Sequence, residues 1–148
     1  MYSELSKNFG KVKDKSAPEV CEFIGGKVKV NNFTNCCAVR LSYAFNKSGL
    51  KIPYIQNETV SGEQKPNENK EWYIFRVRVF KKYLDEKKYT KITTNKKSLE
   101  DFKGKKGVIV FDVNWSDATG HVDLFDGNQV EGHDYTEQSN SISLYLIN

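Results

Sequence analysis

The sequence predicts an α+β fold, with helices in the first part of the chain and an antiparallel sheet at its end. Amphipathic segments with helix start and stop signals occupy the first part. After Gly104 the apolar period changes from about 3.6 to 2, and an Asp-Gly-Asn turn separates two alternating segments. A length of 148 residues suits one core, so we expect a single domain over residues 1–148.

The first predicted helix lies within residues 16–26. Ser16 is a good cap, Pro18 suits the first turn, and a Gly-Gly pair supplies a stop. The residues expected to face inward are Val20, Phe23 and Ile24.

The second predicted helix begins at Thr34 or Asn35, either of which can cap it, and runs to Ser48. Its apolar stripe recurs at spacings of three and four, which predicts an amphipathic and central helix. The stripe consists of Ala38, Leu41 and Phe45.

The middle of the chain is predicted to be a loop followed by a helix. Residues 56–70 are polar and rich in turn formers, so we expect a long exposed loop that borders a substrate groove. Residues 71–89 favour a helix, although the alternation in 73–80 also fits a strand. A short helix is expected from Ser98 to Gly104. The apolar positions at helical spacing are Trp72, Phe75, Val79 and Tyr83, and they are most simply core residues.

Four strands are predicted after the change of period, because apolar and polar residues alternate there. The tight turn Asp126-Gly127-Asn128 makes the second and third strands a hairpin. The predicted strands are 107–113, 120–126, 129–135 and 141–147.

Charge and composition exclude several classes of protein. The net charge of +4 is spread along the chain, which suits an anionic partner but is only weak evidence for nucleic acid. Three cysteines are too few, and odd in number, for a disulfide scaffold. No apolar run predicts a signal peptide or membrane insertion. We therefore expect a chain made in the cytoplasm and, if it acts outside the cell, exported by another route.

Two adjacent cysteines, Cys36 and Cys37, stand at the start of the second predicted helix. A helix N-terminus favours a thiolate and offers backbone N–H groups to an oxyanion, so this is a suitable place for a nucleophile. The alternatives are a buried structural thiol, or a disulfide between Cys21 and Cys36 in an oxidising compartment. A zinc site is disfavoured because adjacent side chains diverge on a helix.

A cysteine nucleophile needs a histidine, and the chain has only His121 and His133. In both registers of the predicted hairpin, Asp134 shares the face of His121, whereas Glu131 points to the other side. Asp134 is therefore the expected partner that orients the imidazole. Asp123, two residues after His121 on the same face, either assists the site or is solvated.

The local sequence around these residues resembles one enzyme family. The segments GGKV at 25–28, NCCAVRLSYAFNKSGLKIP at 35–53 and GVIVFDVNWSDATGHVDLFDG at 107–127 resemble the type VI secretion amidase effectors of the fourth family. These are papain-like enzymes related to the NlpC/P60 cell-wall peptidases. The resemblance implies a papain-like fold in which N-terminal helices pack on a C-terminal antiparallel sheet.

The resemblance also implies catalytic roles. The cysteine before Ala-x-Arg, Cys37, is the implied nucleophile, and the histidine of Gly-His-x-Asp-Leu, His121, is the implied general base. The third member in such enzymes is a carboxylate in the strand after the hairpin, where Gly132 takes the facing position in one register. A bulge there would bring Asp134 into line.

Further residues complete the implied site. The alternatives to Asp134 as third member are Glu131 and His133. The motif residues expected to contact substrate are Asn35, Trp115 and Asp123.

The implied activity is cleavage of the amide between D-glutamate and meso-diaminopimelate in peptidoglycan, without metal or organic cofactor. The implied partners are the type VI secretion apparatus, which exports the protein to the periplasm of a target cell, and a periplasmic immunity protein. Two alternatives stay open. One is another acyl transfer by the same residues, such as transpeptidation or deamidation, and the other is a binding module without catalysis.

Overall fold

The computed structural model describes residues 1–114 and 120–148, which divide into two compact units. One unit is Ser3–Arg76, and the other combines Met1–Tyr2 with Val77–Asn148. Most helices precede the larger antiparallel sheet along the chain, so the predicted α+β class is confirmed. The prediction of a single functional domain stays a prediction. No helix among the described residues is long and apolar enough to cross a membrane.

The first part of the chain contains four helices among its described residues and a two-stranded antiparallel sheet. The helices are α1 (Tyr2–Phe9), α2 (Ala17–Ile24), α3 (Gly26–Asn31) and α4 (Cys37–Lys47), and the strands are β1 (Thr59–Ser61) and β2 (Trp72–Ile74). The sequence did not predict α1 or α3.

Helix α2 begins as expected, with a reciprocal cap. The Ser16 hydroxyl accepts a hydrogen bond from the Glu19 N–H, and the Glu19 carboxylate accepts one from the Ser16 N–H. Val20 and Ile24 are buried as predicted, but Phe23 is 49% exposed, so its inward assignment is wrong. The buried face runs through Val20, Cys21 and Ile24, which leaves Phe23 on the flank of the helix.

Helix α4 is the buried centre of its unit. It starts at Cys37, two or three residues later than predicted, and Ala38, Leu41 and Phe45 are all buried as expected. Its polar residues also face inward. The Ser42 hydroxyl accepts a hydrogen bond from the Ile74 N–H (3.0 Å) and donates one to the Ile74 carbonyl (3.3 Å).

One turn later, Asn46 continues the same ladder of side-chain bonds. Its carboxamide donates to the Trp72 carbonyl (2.8 Å) and accepts from the Ile52 N–H (2.9 Å). A short strand has few backbone partners, and here a helix supplies the missing ones through side chains. This arrangement fixes α4, and the residue at its first turn, against β2.

The middle of the chain differs from the prediction in two ways. The expected loop 56–70 contains β1, whose Thr59 pairs with Ile74 of β2. The expected helix over 71–89 is a strand at Trp72–Ile74 and becomes a helix, α5, only at Val77–Glu86. Pairing with β1 and burial of the strand side chains outweigh the helical spacing at its start.

The second unit is built on a four-stranded antiparallel sheet in the order β3-β6-β4-β5. Its strands are β3 (Lys91–Thr94), β4 (Gly107–Asp112), β5 (Gly120–Phe125) and β6 (Ser141–Leu146), with 3-10 turns at Glu100–Phe102 and Thr136–Gln138. The core of this unit contains Phe102, Ile109, Phe111, Val113, Phe125, Ile142 and Leu144.

Three of the four predicted strands are confirmed as β4, β5 and β6, and the sequence did not predict β3. The predicted short helix near Ser98 is one 3-10 turn. The turn at Asp126 is present, because its carboxylate accepts hydrogen bonds from Asn128 and Gln129 N–H groups, both at 2.8 Å.

The predicted strand over 129–135 is wrong. Val130 forms an isolated bridge with Phe125, and the Glu131 N–H still donates to the Leu124 carbonyl at 2.8 Å. The next two N–H groups, of Gly132 and His133, turn to the side chain of Asp123 instead of the backbone of β5. A side-chain acceptor has therefore replaced the strand ladder.

Replacing Ser42 by alanine tests the helix-to-strand ladder. Ser42→Ala leaves the buried N–H and carbonyl of Ile74 without their side-chain partner, so we expect a loss of about 1–3 kcal/mol in the free energy of unfolding. The measurement is urea denaturation followed by circular dichroism. Ser3→Ala, at an exposed position of α1, is the matched control and should change stability little. Equal stability of both variants would contradict the ladder.

Candidate active site

The first turn of α4 holds the thiol predicted to be the nucleophile. Cys36 is the residue before the helix, Cys37 is its first residue, and the helix continues for 11 residues. Backbone N–H groups at such an end are not used within the helix, and the helix dipole favours negative charge there. The Asn35 side-chain oxygen accepts a hydrogen bond from the Cys37 N–H at 3.2 Å. Asn35 therefore stabilises the start of the helix, and its predicted contact with substrate stays a prediction.

The two adjacent cysteines have different surroundings. Cys36 Sγ lies 3.8 Å from Cys21 Sγ and 3.5 Å from the Phe33 carbonyl, and the residue is 1% exposed. Burial, with the neighbouring Cys21, raises the pKa of the Cys36 thiol to about 12. All three cysteines are free, so the alternative of a Cys21–Cys36 disulfide is not realised in this structure. Cys36 fits the interpretation as a packed thiol, and Cys37 is also buried, at 6% exposure.

His121 is held in a sheet by its strand and by aromatic rings. It is the second residue of β5 and pairs with Phe111 of β4. A Cβ on the preceding residue, Gly120, would lie 2.1 Å from the Phe111 carbonyl oxygen, so glycine is required for this close pairing. The imidazole stacks on Phe111 and meets the edge of Tyr135 at centroid distances of 6.1 and 4.9 Å. The His121 side chain is 14% exposed.

A buried carboxylate lies beside the imidazole. His121 Nε2 is 2.7 Å from Asp123 Oδ2, and the Asp123 side chain is 2% exposed. Asp123 also accepts three backbone hydrogen bonds, from Leu124 (2.8 Å), Gly132 (2.9 Å) and His133 (2.9 Å). Four donors match the accepting capacity of an ionised carboxylate.

The predicted third member, Asp134, lies elsewhere. Its carboxylate accepts hydrogen bonds from the N–H (2.8 Å) and the hydroxyl of Thr136, and the residue is exposed. Its placement on the face of His121 assumed a hairpin strand, and the absence of that strand makes the register argument wrong. Of the alternatives, Glu131 accepts a hydrogen bond from the Tyr2 hydroxyl, and the ring of His133 stacks on Tyr135.

Two other predicted site residues have different outcomes. Trp115 lies outside the described residues. Asp123 was expected to assist the site or to be solvated, and the structure buries it beside His121, so the solvated alternative is wrong. Its predicted contact with substrate stays a prediction. The sequence signal for this contact was the spacing of two residues along one strand, which places both side chains on the same face.

The first unit also contains a polar cleft of about 560 Å³. Glu71 binds Lys47 at 2.7 Å and Lys51 at 3.0 Å within it. Burial opposes ionisation of Glu71, but the hydrogen bonds and charges of the two lysines outweigh it and lower its pKa. The lining residues from the expected groove-bordering segment are Glu68, Asn69 and Lys70. Substrate binding there stays a prediction.

Residues 1–114 and 120–148 contain no set of side chains arranged as metal ligands. No group of three or more His, Cys, Asp or Glu side chains in these ranges is placed to hold a metal ion. The first unit has a thiol at a helix start, and the second has an imidazole beside a carboxylate. Both are typical of nucleophilic acyl transfer.

Comparison with protein families decides the class. The family described as type VI secretion system amidase effector protein 4, Tae4, matches residues 33–145, a range that includes Cys37 and His121. The chain belongs to this family. The family predicted from the sequence is thereby confirmed.

Solved structures of Tae4 effectors are similar over nearly the whole chain. Tae4 of Salmonella typhimurium, in complex with the immunity protein Tai4 of Enterobacter cloacae, is 30% identical, with a TM-score of 0.88 and coverage of 99% of this chain and 98% of that chain. A selenomethionine variant from the S. typhimurium Tae4/Tai4 system is 33% identical, with a TM-score of 0.83 and coverages of 99% and 97%.

Tae4 of Enterobacter cloacae, in its complex with Tai4, is 26% identical, with a TM-score of 0.85 and coverages of 99% and 98%. A comparison with curated protein sequences gives no match. The structural matches confirm the predicted α+β, papain-like fold class.

Alkylation by iodoacetamide tests the contrast between the two cysteines. Near neutral pH, Cys36 stays a protonated thiol because its pKa is raised to about 12, so we expect the label on Cys37. Peptide mass spectrometry locates the label. Cys36→Ser should retain the labelling rate and Cys37→Ser should lose it. Preferential labelling of Cys36 would contradict this assignment.

Proposed function

We propose that this protein is a cysteine amidase that hydrolyses the bond between D-glutamate and meso-diaminopimelate in the peptide stems of peptidoglycan. The observation that carries the proposal is the match to the amidase effector family over residues 33–145. Two local arrangements support it, the thiol of Cys37 at a helix start and the imidazole of His121 beside a carboxylate.

In the proposed reaction, His121 accepts the proton of the Cys37 thiol, and the thiolate attacks the γ-glutamyl carbonyl carbon. The Cys37 N–H, now bonded to Asn35 at 3.2 Å, would donate to the oxyanion in place of that side chain. His121 then gives its proton to the leaving amine of diaminopimelate. Water hydrolyses the thioester, and no metal or organic cofactor takes part.

Delivery and inhibition follow the family. We propose that the type VI secretion apparatus carries the protein into the periplasm of a target cell, where it degrades the wall. A periplasmic immunity protein would protect the producing cell, as suggested by the solved relatives in complex with Tai4. The net charge of +4 suits an anionic wall polymer.

Transpeptidation and deamidation remain the alternative reactions. In transpeptidation an amine, instead of water, attacks the thioester. In deamidation the thiolate attacks a side-chain carboxamide instead of a peptide bond. They differ from hydrolysis in their products. A binding module without catalysis would leave the wall unchanged.

Digestion of purified sacculi tests the proposal. Wild-type protein should release fragments whose masses fit cleavage between D-glutamate and diaminopimelate. Cys37→Ala and His121→Ala should each lower the rate by at least about a hundredfold, because nucleophile and base are lost. Cys36→Ser is the matched thiol control and should stay active.

Two results would count against the proposal. Unchanged muropeptides with folded wild-type protein would exclude cell-wall hydrolysis. Full activity of Cys37→Ala would exclude Cys37 as nucleophile while leaving the substrate in place.

A further inference from the structure

The identity of the carboxylate that orients His121 is the one part of the proposed site that the sequence does not decide. The chain offers several acidic side chains after the turn, and the sequence pointed to Asp134. The structure instead pairs Asp134 with Thr136 and buries the Asp123 carboxylate against the imidazole.

We propose that Asp123 is the positioning residue of the site and that Gly132 is the residue that makes room for it. This inference rests on the proposed cysteine amidase function. It assigns the orienting carboxylate to the strand of His121 itself, two residues along β5, instead of to the segment after the turn.

The hydrogen bonds of Asp123 give this carboxylate one orientation. Oδ1 accepts from the N–H groups of Leu124 and Gly132, and Oδ2 accepts from the N–H of His133 and faces His121 Nε2. Three backbone donors hold the carboxylate, so it does not need the imidazole to stay in place. It is therefore preorganised as an acceptor for His121.

A carboxylate at Nε2 selects one tautomer of the neutral imidazole. The proton stays on Nε2, where Asp123 accepts it, and Nδ1 becomes the basic nitrogen. After proton transfer the same carboxylate stabilises the imidazolium cation. Asp123 thereby determines which nitrogen receives the thiol proton.

Gly132 is the second part of the arrangement. A Cβ at this position would lie 2.4 Å from Asp123 Oδ2 and 3.0 Å from Asp123 Cγ. No side chain fits there without moving the carboxylate. Position 132 therefore needs glycine for as long as position 123 carries the aspartate.

The first experiment measures sacculus digestion by matched variants. Asp123→Asn places a carboxamide where the acceptor stood, so we expect a loss of about 10²- to 10⁴-fold in kcat with little change in KM. Gly132→Ala should lower kcat in the same direction. Asp101→Asn, at an exposed site, is the control and should retain activity. Full activity of Asp123→Asn, or loss in Asp134→Asn alone, overturns the inference.

The second experiment reads the imidazole directly. In ¹⁵N nuclear magnetic resonance spectra near neutral pH, recorded in a His133→Gln background so that one histidine remains, His121 should be protonated on Nε2. The Asp123→Asn variant should lose this preference while keeping the dispersed spectrum of a folded protein. A wild-type imidazole protonated on Nδ1 overturns the inference.

A relocated carboxylate provides a rescue. In the double variant Asp123→Ser, Gly132→Asp, the Cβ of the new aspartate lies in the space that the Asp123 carboxylate occupied. This variant should be more active than Asp123→Ser alone. No gain would contradict a requirement for a carboxylate at this point. Inactive wild-type protein would instead defeat the proposed function, and the His121 tautomer would then decide the inference alone.

Discussion

The buried carboxylate of Asp123 is the constraint on which the arrangement of the sheet unit around His121 depends. A charge that is removed from water is costly unless hydrogen bonds replace its hydration, and Asp123, at 1% exposure, collects four of them. Two come from the segment after the turn, which leaves its strand course to reach the carboxylate. The path of the backbone at Gly132 and the orientation of His121 thus have one cause.

In the first unit, the start of helix α4 determines where Cys36 and Cys37 lie. Cys36 lies just before the helix and Cys37 is its first residue, so the two neighbouring cysteines lie in different environments. Cys36 packs beside Cys21 and the Phe33 carbonyl, where burial keeps it protonated. Cys37 takes the first position of α4, whose polar residues Ser42 and Asn46 fix the helix against β2.

Features with a local cause were predictable from the sequence. The cap at Ser16, the apolar stripe of α4 and the alternation in β4, β5 and β6 all depend on neighbours in the chain. Features set by distant partners were not. The three-residue strands β1 and β2 are defined by each other, and the segment after Asp126 follows a side chain on β5. The family motifs pointed to Cys37 and His121, and spacing along the strand made Asp123 a candidate, but the choice of Asp123 over Asp134 depends on a side-chain contact.

The absence of a side chain at position 132 has an evolutionary consequence. Because a methyl group there would collide with Asp123 Oδ2, position 132 cannot gain a side chain while position 123 keeps its aspartate, so a side chain at 132 requires a change at 123 as well. Among homologues, an acidic residue at position 123 should co-occur with glycine at position 132. A glycine at this point is therefore compatible with an orienting carboxylate, since Asp123, nine residues earlier in the chain, can supply it.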